Sequence, residues 1–554
     1  MAKDNKLKDL QRKVTPFDYE VLSSLQFGSL DGEKDKLLKD CFIVTKEIRK
    51  LLKGGSYNYI ISPKGAGKSA LFKALMDKYI DKSILDYSKY HFIAINQAFE
   101  YDNKYLSSEL FKKDLGHKNY TISWALYIAF KLIEDITNKH SNKSNYDVFE
   151  KKIRKYEEIK DTFELYNLLD YVNKFNVSLK FQVHGVDCSL SPTLKFKNLP
   201  KKIDLQEIYE IINDFYLQNN IAVKILIDRI DNFVQKEEYE IQKNYLQGLI
   251  YAIEEISGIS NIQPLVFLRT DLYYSHEISF EYDKIKERVI ELKWTKDEIL
   301  FFILLRFWTN EYIRKNYYDF YQEVFKTSIN EDRHIKKINF GFISNLIKKF
   351  QKNKNEFEIS HNIDYKVAES FLKLFFPNRV VHLTKNKKTE EVEFCEWIFS
   401  HFKDSNNYIN PRTLIRFLNL LVENQFDTIN EHNLHKSKHI HSTIKEGYVT
   451  YELFMPQVIS RVFNKVQNEE LKNIYKLQSS KDKQNLFIRI NKMSVSNSSC
   501  IVKYGDIPYK NYNLEKDSFA RALKYLGLLG YLKEEEKVYY VPNLYLTEME
   551  LIDN

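Results

Sequence analysis

The chain has 554 residues and a mass of 66.3 kDa, too long for one ordinary core, and length alone predicts about three or four units. Apolar residues make up 44% and aromatics 15%, with only 15 Gly and 10 Pro, so long regular elements around large cores are expected and wholesale disorder is excluded. The net charge of +8, from 84 basic and 76 acidic residues, permits a nucleic-acid partner without requiring one.

Cys41, Cys188, Cys395 and Cys500 are far apart and form no C-x-x-C pair, so they read as free thiols of a reducing cytosol. Residues 1–13 are charged and lack the apolar stretch of a signal peptide, and no apolar run is long enough to span a bilayer. A soluble cytoplasmic protein without a membrane partner is expected.

Strand-length apolar runs alternate with helical patterns, the signature of a parallel α/β sheet. Residues 57–61 form the first predicted strand, followed by Ser62-Pro-Lys-Gly-Ala-Gly-Lys-Ser69. A helix over 69–80 then places Leu71, Phe72, Leu75, Met76 and Tyr79 on one face. A strand, a glycine-bearing turn and a helix N-terminus aim backbone N–H groups and a positive dipole at an anion. Lys64, Gly65, Ala66, Gly67, Lys68, Ser69 and Ala70 are therefore the expected nucleotide-binding residues. Gly65 and Gly67 let the backbone approach phosphates, Lys68 reaches the β- and γ-phosphates, and the Ser69 hydroxyl ligates Mg²⁺. The usual pattern opens with Gly, where this chain has Ser62. The predicted ligands are ATP and Mg²⁺.

A second strand is predicted at 92–95 and a helix at 123–136, followed by an insertion over about residues 138–202. Its first half is charged and helical in pattern, and residues 177–194 alternate like a hairpin. The third strand, 221–227, ends in Asp228, the second metal-linked oxygen that a magnesium site needs, and is expected beside the first strand. Hydrolysis also requires a group that polarises water. Arg229 directly follows Asp228, so Asp231 is the catalytic candidate, with capping of the next turn as its alternative role. A helix over 245–256 leads to the fourth strand, 265–268, which ends in Arg269-Thr270-Asp271. Arg269 can sense the γ-phosphate there or pair with Asp271. The fifth strand is predicted at 289–292.

After Trp294 the pattern becomes helical, and Thr295 with Glu298 matches a capping box before an apolar run. Helices are expected to about residue 421, broken by a polar loop at 384–389. Asn410-Pro411-Arg412-Thr413 opens one of them, with Asn410 at the N-cap and Pro411 in the first turn. An arginine in a first turn opposes the helix dipole, so Arg412 reads as contacting nucleotide from a helical lid, or else as an exposed, solvated side chain. Arg416, one turn on, is a companion. His432, His435, His439 and His441 have metal-like spacing but read mainly as a polar connection. Trp294 and Trp308 read as core. Near the end, a helix over 516–525 precedes strands at 528–532 and 538–541, which flank Glu534-Glu535-Glu536 in the pattern of a winged helix. The expected divisions are 1–294 for the core with its insertion, 295–450 for the lid and 451–554 for the winged-helix-like part.

These landmarks, in this order, resemble the extended AAA+ and STAND group of P-loop ATPases, and most closely a bacterial set related to KAP-type and origin-recognition-like ATPases. The resemblance rests on Phe27-Gly-Ser-Leu-Asp-Gly-Glu-Lys-Asp35 with Cys41-Phe-Ile-Val-Thr45, and on Lys64-Gly-Ala-Gly-Lys-Ser-Ala70. Ile227-Asp-Arg-Ile-Asp231, Phe267-Leu-Arg269 and Asn410-Pro-Arg412 add to it, and it covers about residues 25–425 without the insertion. It implies a P-loop NTPase core folded as a parallel αβα sandwich, a helical lid, a C-terminal winged-helix-like domain, and Arg269 and Arg412 as sensors of nucleotide state. It also places Arg288 near a finger for a neighbouring subunit's ATP, and it implies a role in genome maintenance or phage defence. The absence of Glu after Asp228 implies a slow switch rather than a motor. Two partner readings stay open. The first is a DNA-associated ATPase touching duplex through Lys516, Arg521 and Lys524, opposed by Glu515, Asp517 and the acidic wing. The second is a STAND-like scaffold that oligomerises with ATP and controls a separate effector protein.

Overall fold

The computed structural model describes residues 19–54, 56–95, 116–154, 182–183, 186–187, 205–230, 239–275, 282–314, 365–373, 375–383, 389–431, 453–477, 501–503, 523, 526, 533–535 and 538–545. The chain divides into two compact units. A sheet unit comprises Glu47–Ser62 and Leu71–Leu292; a helical unit comprises Met1–Lys46, Pro63–Ala70 and Lys293–Asn554.

The sheet unit is built on five parallel strands: β1 (Tyr59–Ser62), β2 (Tyr90–Ile95), β3 (Ala222–Ile227), β4 (Ile262–Arg269) and β5 (Val289–Glu291). Parallel neighbours require crossover connections, which this chain supplies as helices: α1 (Lys68–Met76), α2 (Gly116–Lys139), α3 (Leu205–Gln218) and α4 (Tyr239–Ser257). Strands covered on both faces should read as unbroken apolar runs, and β1 (Tyr-Ile-Ile-Ser) is buried at every position. The order across the sheet is β2-β3-β4-β1-β5. The strand ending at Asp228 is therefore not beside β1, as its sequence suggested. β4 lies between them, pairing Val266 with both Ile227 and Tyr59, and Arg269 with Ser62. A central position demands burial on both faces and both edges. β4 meets it along eight residues, buried at all but Gln263, whereas the predicted strand was only its middle. Helices α2 and α4 approach so closely at Gly248 that a Cβ there would lie 2.8 Å from the Thr121 backbone nitrogen. In the region read as an insertion, a helix forms at Tyr146–Ile153, and Gln182–Val183 pairs antiparallel with Val186–Asp187. Both agree with the pattern.

The helical unit contains α5 (Lys296–Trp308), α6 (Tyr365–Leu372), α7 (Phe394–Phe402), α8 (Pro411–Glu431) and α9 (Pro456–Leu477). The capping box of α5 forms as expected: Thr295 Oγ1 accepts from Glu298 N at 3.2 Å, and Glu298 Oε2 accepts from Thr295 N at 2.8 Å. The core is aromatic. Phe307 stacks on Phe375 at 4.7 Å and Phe376 on Phe394 at 4.1 Å, an arrangement that adds geometric preference to large buried area. Trp308 is buried in it, but Trp294 is only partly buried and lies in neither a helix nor a strand. Residues 379–393, read as helical around a loop, instead form the antiparallel pair β6 (Arg379–Leu383) and β7 (Thr389–Glu393). The β-branched Val380-Val381 and Val392 favour that outcome.

The Phe27–Asp35 segment is held from α5. Arg306 Nη2 donates to Asp35 Oδ2 at 2.7 Å, with both side chains about 2% exposed, and Nη1 donates to the Phe27 carbonyl. Gly28 (φ +87°) must stay glycine here, since a Cβ would enter the Asp35 and Arg306 side chains. At the C-terminal end, β8 (Ile501–Lys503) joins β9 (Lys533–Glu535) and β10 (Val538–Tyr540) in the order β8-β10-β9. Glu534 and Glu535 sit in a strand rather than a turn, because they pair with Tyr539 and Val538. Leu523 and Leu526 are helical and buried, while the rest of the helix expected at 516–525, Gly527 and the strand expected at 528–532 lie outside the described residues. No helix among the described residues is long and apolar enough to cross a membrane.

Candidate nucleotide-binding site

β1 ends at Ser62 and the chain passes into the loop 63–67, then into α1 at Lys68. Gly65 and Gly67 adopt φ of +87° and +109°, the left-handed region that side-chain-bearing residues rarely enter. Positive φ at alternate residues turns successive amides to one side, giving a concavity suited to phosphate oxygens at a helix N-terminus. Within the helical unit the loop is gripped from behind. Asn410 Nδ2 donates to the Lys64 carbonyl at 3.0 Å, and Asn410 Oδ1 caps α8 by accepting from Arg412 N at 2.9 Å. The Asn410 amide lies so close to Gly65 that a Cβ there would collide with it. Trp294 Nε1 donates to the Ala66 carbonyl at 2.9 Å, and its ring lies 3.8 Å from where a Gly67 Cβ would be. Lys68 Nζ donates to the Pro63 carbonyl at 3.1 Å, which keeps the ammonium over its own loop.

Two of these contacts were not legible as site features. Asn410 read only as a helix cap, and Trp294 as core; the sole hint was an indole N–H that needs a partner when covered. A third residue, Glu470, was missed entirely. It accepts from Thr413 Oγ1 at 2.9 Å, and burial raises its carboxyl pKa, opposed by the Thr413 hydrogen bond and by the charges of Arg412 and Lys64. Arg412 itself donates from Nε to the Leu30 carbonyl at 3.0 Å. Arg416 is held by Glu469 through two bonds of 2.7 and 2.8 Å.

The remaining expected residues belong to the sheet unit. Asp228, 4% exposed, follows the C-terminal end of β3. The next residue, Arg229, has φ +63°, a conformation that costs energy for a non-glycine residue and concentrates at functional sites. Arg269 closes β4, opposite Ser62 in the ladder, and is bound bidentately by Asp271: Nε to Oδ1 at 2.9 Å and Nη2 to Oδ2 at 2.8 Å. The side-chain pairing raised as an alternative for Arg269 is therefore present. Arg288 Nη1 lies 3.0 Å from Glu254 Oε2. Asp231 and the histidines at 432, 435, 439 and 441 lie outside the described residues.

Within the helical unit, Lys68 offers a cation and Ser69 a hydroxyl oxygen at the head of a helix; within the sheet unit, Asp228 offers a buried carboxylate at a strand end. Burial pushes the Cys41 and Cys395 thiols up to about 12, which argues against thiolate chemistry at these two positions.

No described protein family matches the chain. Over 289 residues it is 23% identical to the transposon gamma-delta 80.3 kDa protein of Escherichia coli (strain K12), a match spanning 50% of this chain and 38% of that protein. Among solved structures it is similar to a Walker-type ATPase of Pyrococcus abyssi (11% identity, 91% of this chain and 95% of the other, TM-score 0.36). It is also similar to the Aeropyrum pernix ORC2 protein in its ADPNP–ADP complexes (10% identity, 90% and 87% covered, TM-score 0.35).

Proposed function

We propose that this chain is an ATP-binding, magnesium-dependent P-loop ATPase that turns over slowly and works as a nucleotide-controlled switch. The observation that carries the reading is the loop itself: glycines at positive φ between a parallel strand and a helix opened by Lys68-Ser69. In this reading Lys68 binds the β- and γ-phosphates, Ser69 and Asp228 hold Mg²⁺, and Asp231 polarises water. Arg269 exchanges its Asp271 partner for the γ-phosphate, and Arg412 reports the nucleotide from a lid formed by the helices after Trp294. Magnesium would neutralise phosphate charge; the protein's own part is to position that charge and exclude water.

The C-terminal segment, taken as a winged-helix-like part, bears on the target of the switch. Strand β9 reads Lys-Glu-Glu, and a phosphate backbone repels such an edge, which favours a protein effector or a second copy of the chain over duplex DNA. The test is MgATP binding by calorimetry and turnover by phosphate release, with wild type and Lys68→Ala, each with and without DNA across a salt series. Loss of both binding and turnover in Lys68→Ala is expected, with no stimulation by DNA. Undiminished MgATP binding in Lys68→Ala would overturn the phosphate-loop assignment. Salt-sensitive DNA stimulation would instead support the DNA-associated ATPase, and its absence the effector-controlling scaffold; genome maintenance or phage defence is the setting we propose for the ATPase.

A further inference from the structure

Within the sheet unit, the edge strand β2 and the C-terminal end of α2 bring together three side chains that the ATPase chemistry does not use. His91 Nε2 lies 2.6 Å from Asp135 Oδ2, and His140 Nε2 lies 3.8 Å from the same oxygen. Ligand atoms from all three residues fall within 4.8 Å of one another, and the two imidazoles meet edge to face at 4.9 Å between centroids. Ligand atoms on a tetrahedral zinc with bonds of about 2.0–2.1 Å are about 3.3 Å apart, so the two measured separations straddle what such an ion requires.

Three further features point to a cation. His140 Nε2 is buried without a hydrogen-bond partner among the described residues, so its lone pair is open to a ligand at that place. Tyr216, fully buried on α3, faces the same place: its ring lies 6.3 Å from His140 at 88°, and its hydroxyl is directed at the Asp135 carboxylate without reaching full hydrogen-bond geometry. The His140 backbone N–H still bonds the Ile136 carbonyl at 2.9 Å, so the group sits at the negative end of the α2 dipole. Lys139 is bound to Asp135 Oδ1 at 2.8 Å, which leaves Oδ2 for the cluster. Lys143 is the other cation acting on His140.

We propose that His91, Asp135 and His140 form a zinc site, with the Tyr216 hydroxyl or a water in the fourth position, that fastens β2 to the end of α2. Two imidazoles and one carboxylate suit zinc, whereas magnesium and calcium take all-oxygen sets. The site is structural rather than catalytic. Its metal stabilises the folded chain by binding it in preference to the unfolded one.

The test uses the full-length protein, stripped with a chelator and dialysed, then titrated with Zn²⁺ against a chromogenic competitor. Wild type should bind one zinc per chain and melt at a higher temperature with zinc than without. Co²⁺ in its place should give the visible bands of a tetrahedral site. His140→Ala should lose zinc affinity roughly tenfold or more, and its melting temperature, lowered somewhat by the lost ring packing, should no longer rise with zinc as wild type does. Asp135→Asn keeps the shape of the carboxylate and should weaken zinc similarly, which covers the case in which His140→Ala misfolds. Absence of stoichiometric zinc in wild type, or wild-type affinity in both variants, would overturn the proposal. So would loss of the metal on replacing His432 and His435 but not His140.

Discussion

The two units solve the problem of positioning polar groups in different ways. In the sheet unit β1 and β4 are buried along nearly their whole length, and Asp228 and Arg269 stand at strand ends, where pairing stops and a polar group can turn out of the core. Backbone register fixes them. In the helical unit the core is aromatic, and the phosphate loop is fixed by side chains reaching its carbonyls, Asn410 to Lys64 and Trp294 to Ala66. A register set by many ladder bonds tolerates the loss of any one of them. A loop held by two side-chain donors does not. Single substitutions should therefore damage the geometry of the helical unit's site more than that of the sheet unit's.

The largest effect expected from this contrast is at Arg306. Its pairing with Asp35 and the Phe27 carbonyl is buried, so Arg306→Ala leaves the Asp35 carboxylate without its cation, held only by the Ser29 and Leu37 N–H groups, and should cost about 3–5 kcal/mol in urea unfolding. Replacing both partners together, Arg306→Met with Asp35→Asn, removes both charges while keeping an acceptor for the Ser29 and Leu37 N–H groups and should recover part of that loss; failure to recover any would mean that the guanidinium matters through its place over the Phe302 ring rather than through the charge pair.

Next in size is the grip on the loop. Asn410→Ala should lose about 1 kcal/mol of cap energy, and MgATP affinity should fall with it. Asn410→Asp keeps the cap oxygen but cannot donate to Lys64, so its stability should stay near wild type while affinity falls as far as in Asn410→Ala. Equal affinity in Asn410→Asp and wild type would show that the loop keeps its shape without this bond, as the strand ends do. Gly65→Ala, which meets both a positive φ and the Asn410 amide, should abolish binding.

The smallest effect belongs to the partly exposed pair Arg416–Glu469. Arg416→Ala should cost about 0.2–1 kcal/mol, less at high salt. The Arg416 hydrogen bond holds the Glu469 carboxyl below its ordinary value, so the folded state releases that proton more readily than the unfolded one. The pair's contribution is therefore present above the usual glutamate range and lost as pH falls through the lowered value. A Tm difference between wild type and Arg416→Ala that narrows on acidification checks it. A constant difference would assign the effect to packing.

Much of this was legible in the sequence because it is local. Apolar runs bounded by turns located all five strands of the large sheet, Gly65 and Gly67 marked the turn, and Thr295 with Glu298 marked a cap that forms as written. Local patterns reach only a few residues, and what they could not supply is long-range. They gave no order of strands, so Asp228 was set beside β1 until β4, buried along nearly its whole length, took the place between. They read 379–393 as helical around a loop, where cross-strand pairing decides instead for two strands. Nor could they bring Trp294 across 228 residues to the Ala66 carbonyl, or His91 to Asp135 and His140, because contacts of that span exist only once the apolar faces have been buried against each other. The strand, glycine turn and helix start at residues 59–69 could be read from the chain alone, because they are local; what holds that turn in place, Asn410 and Trp294, came only with the tertiary structure.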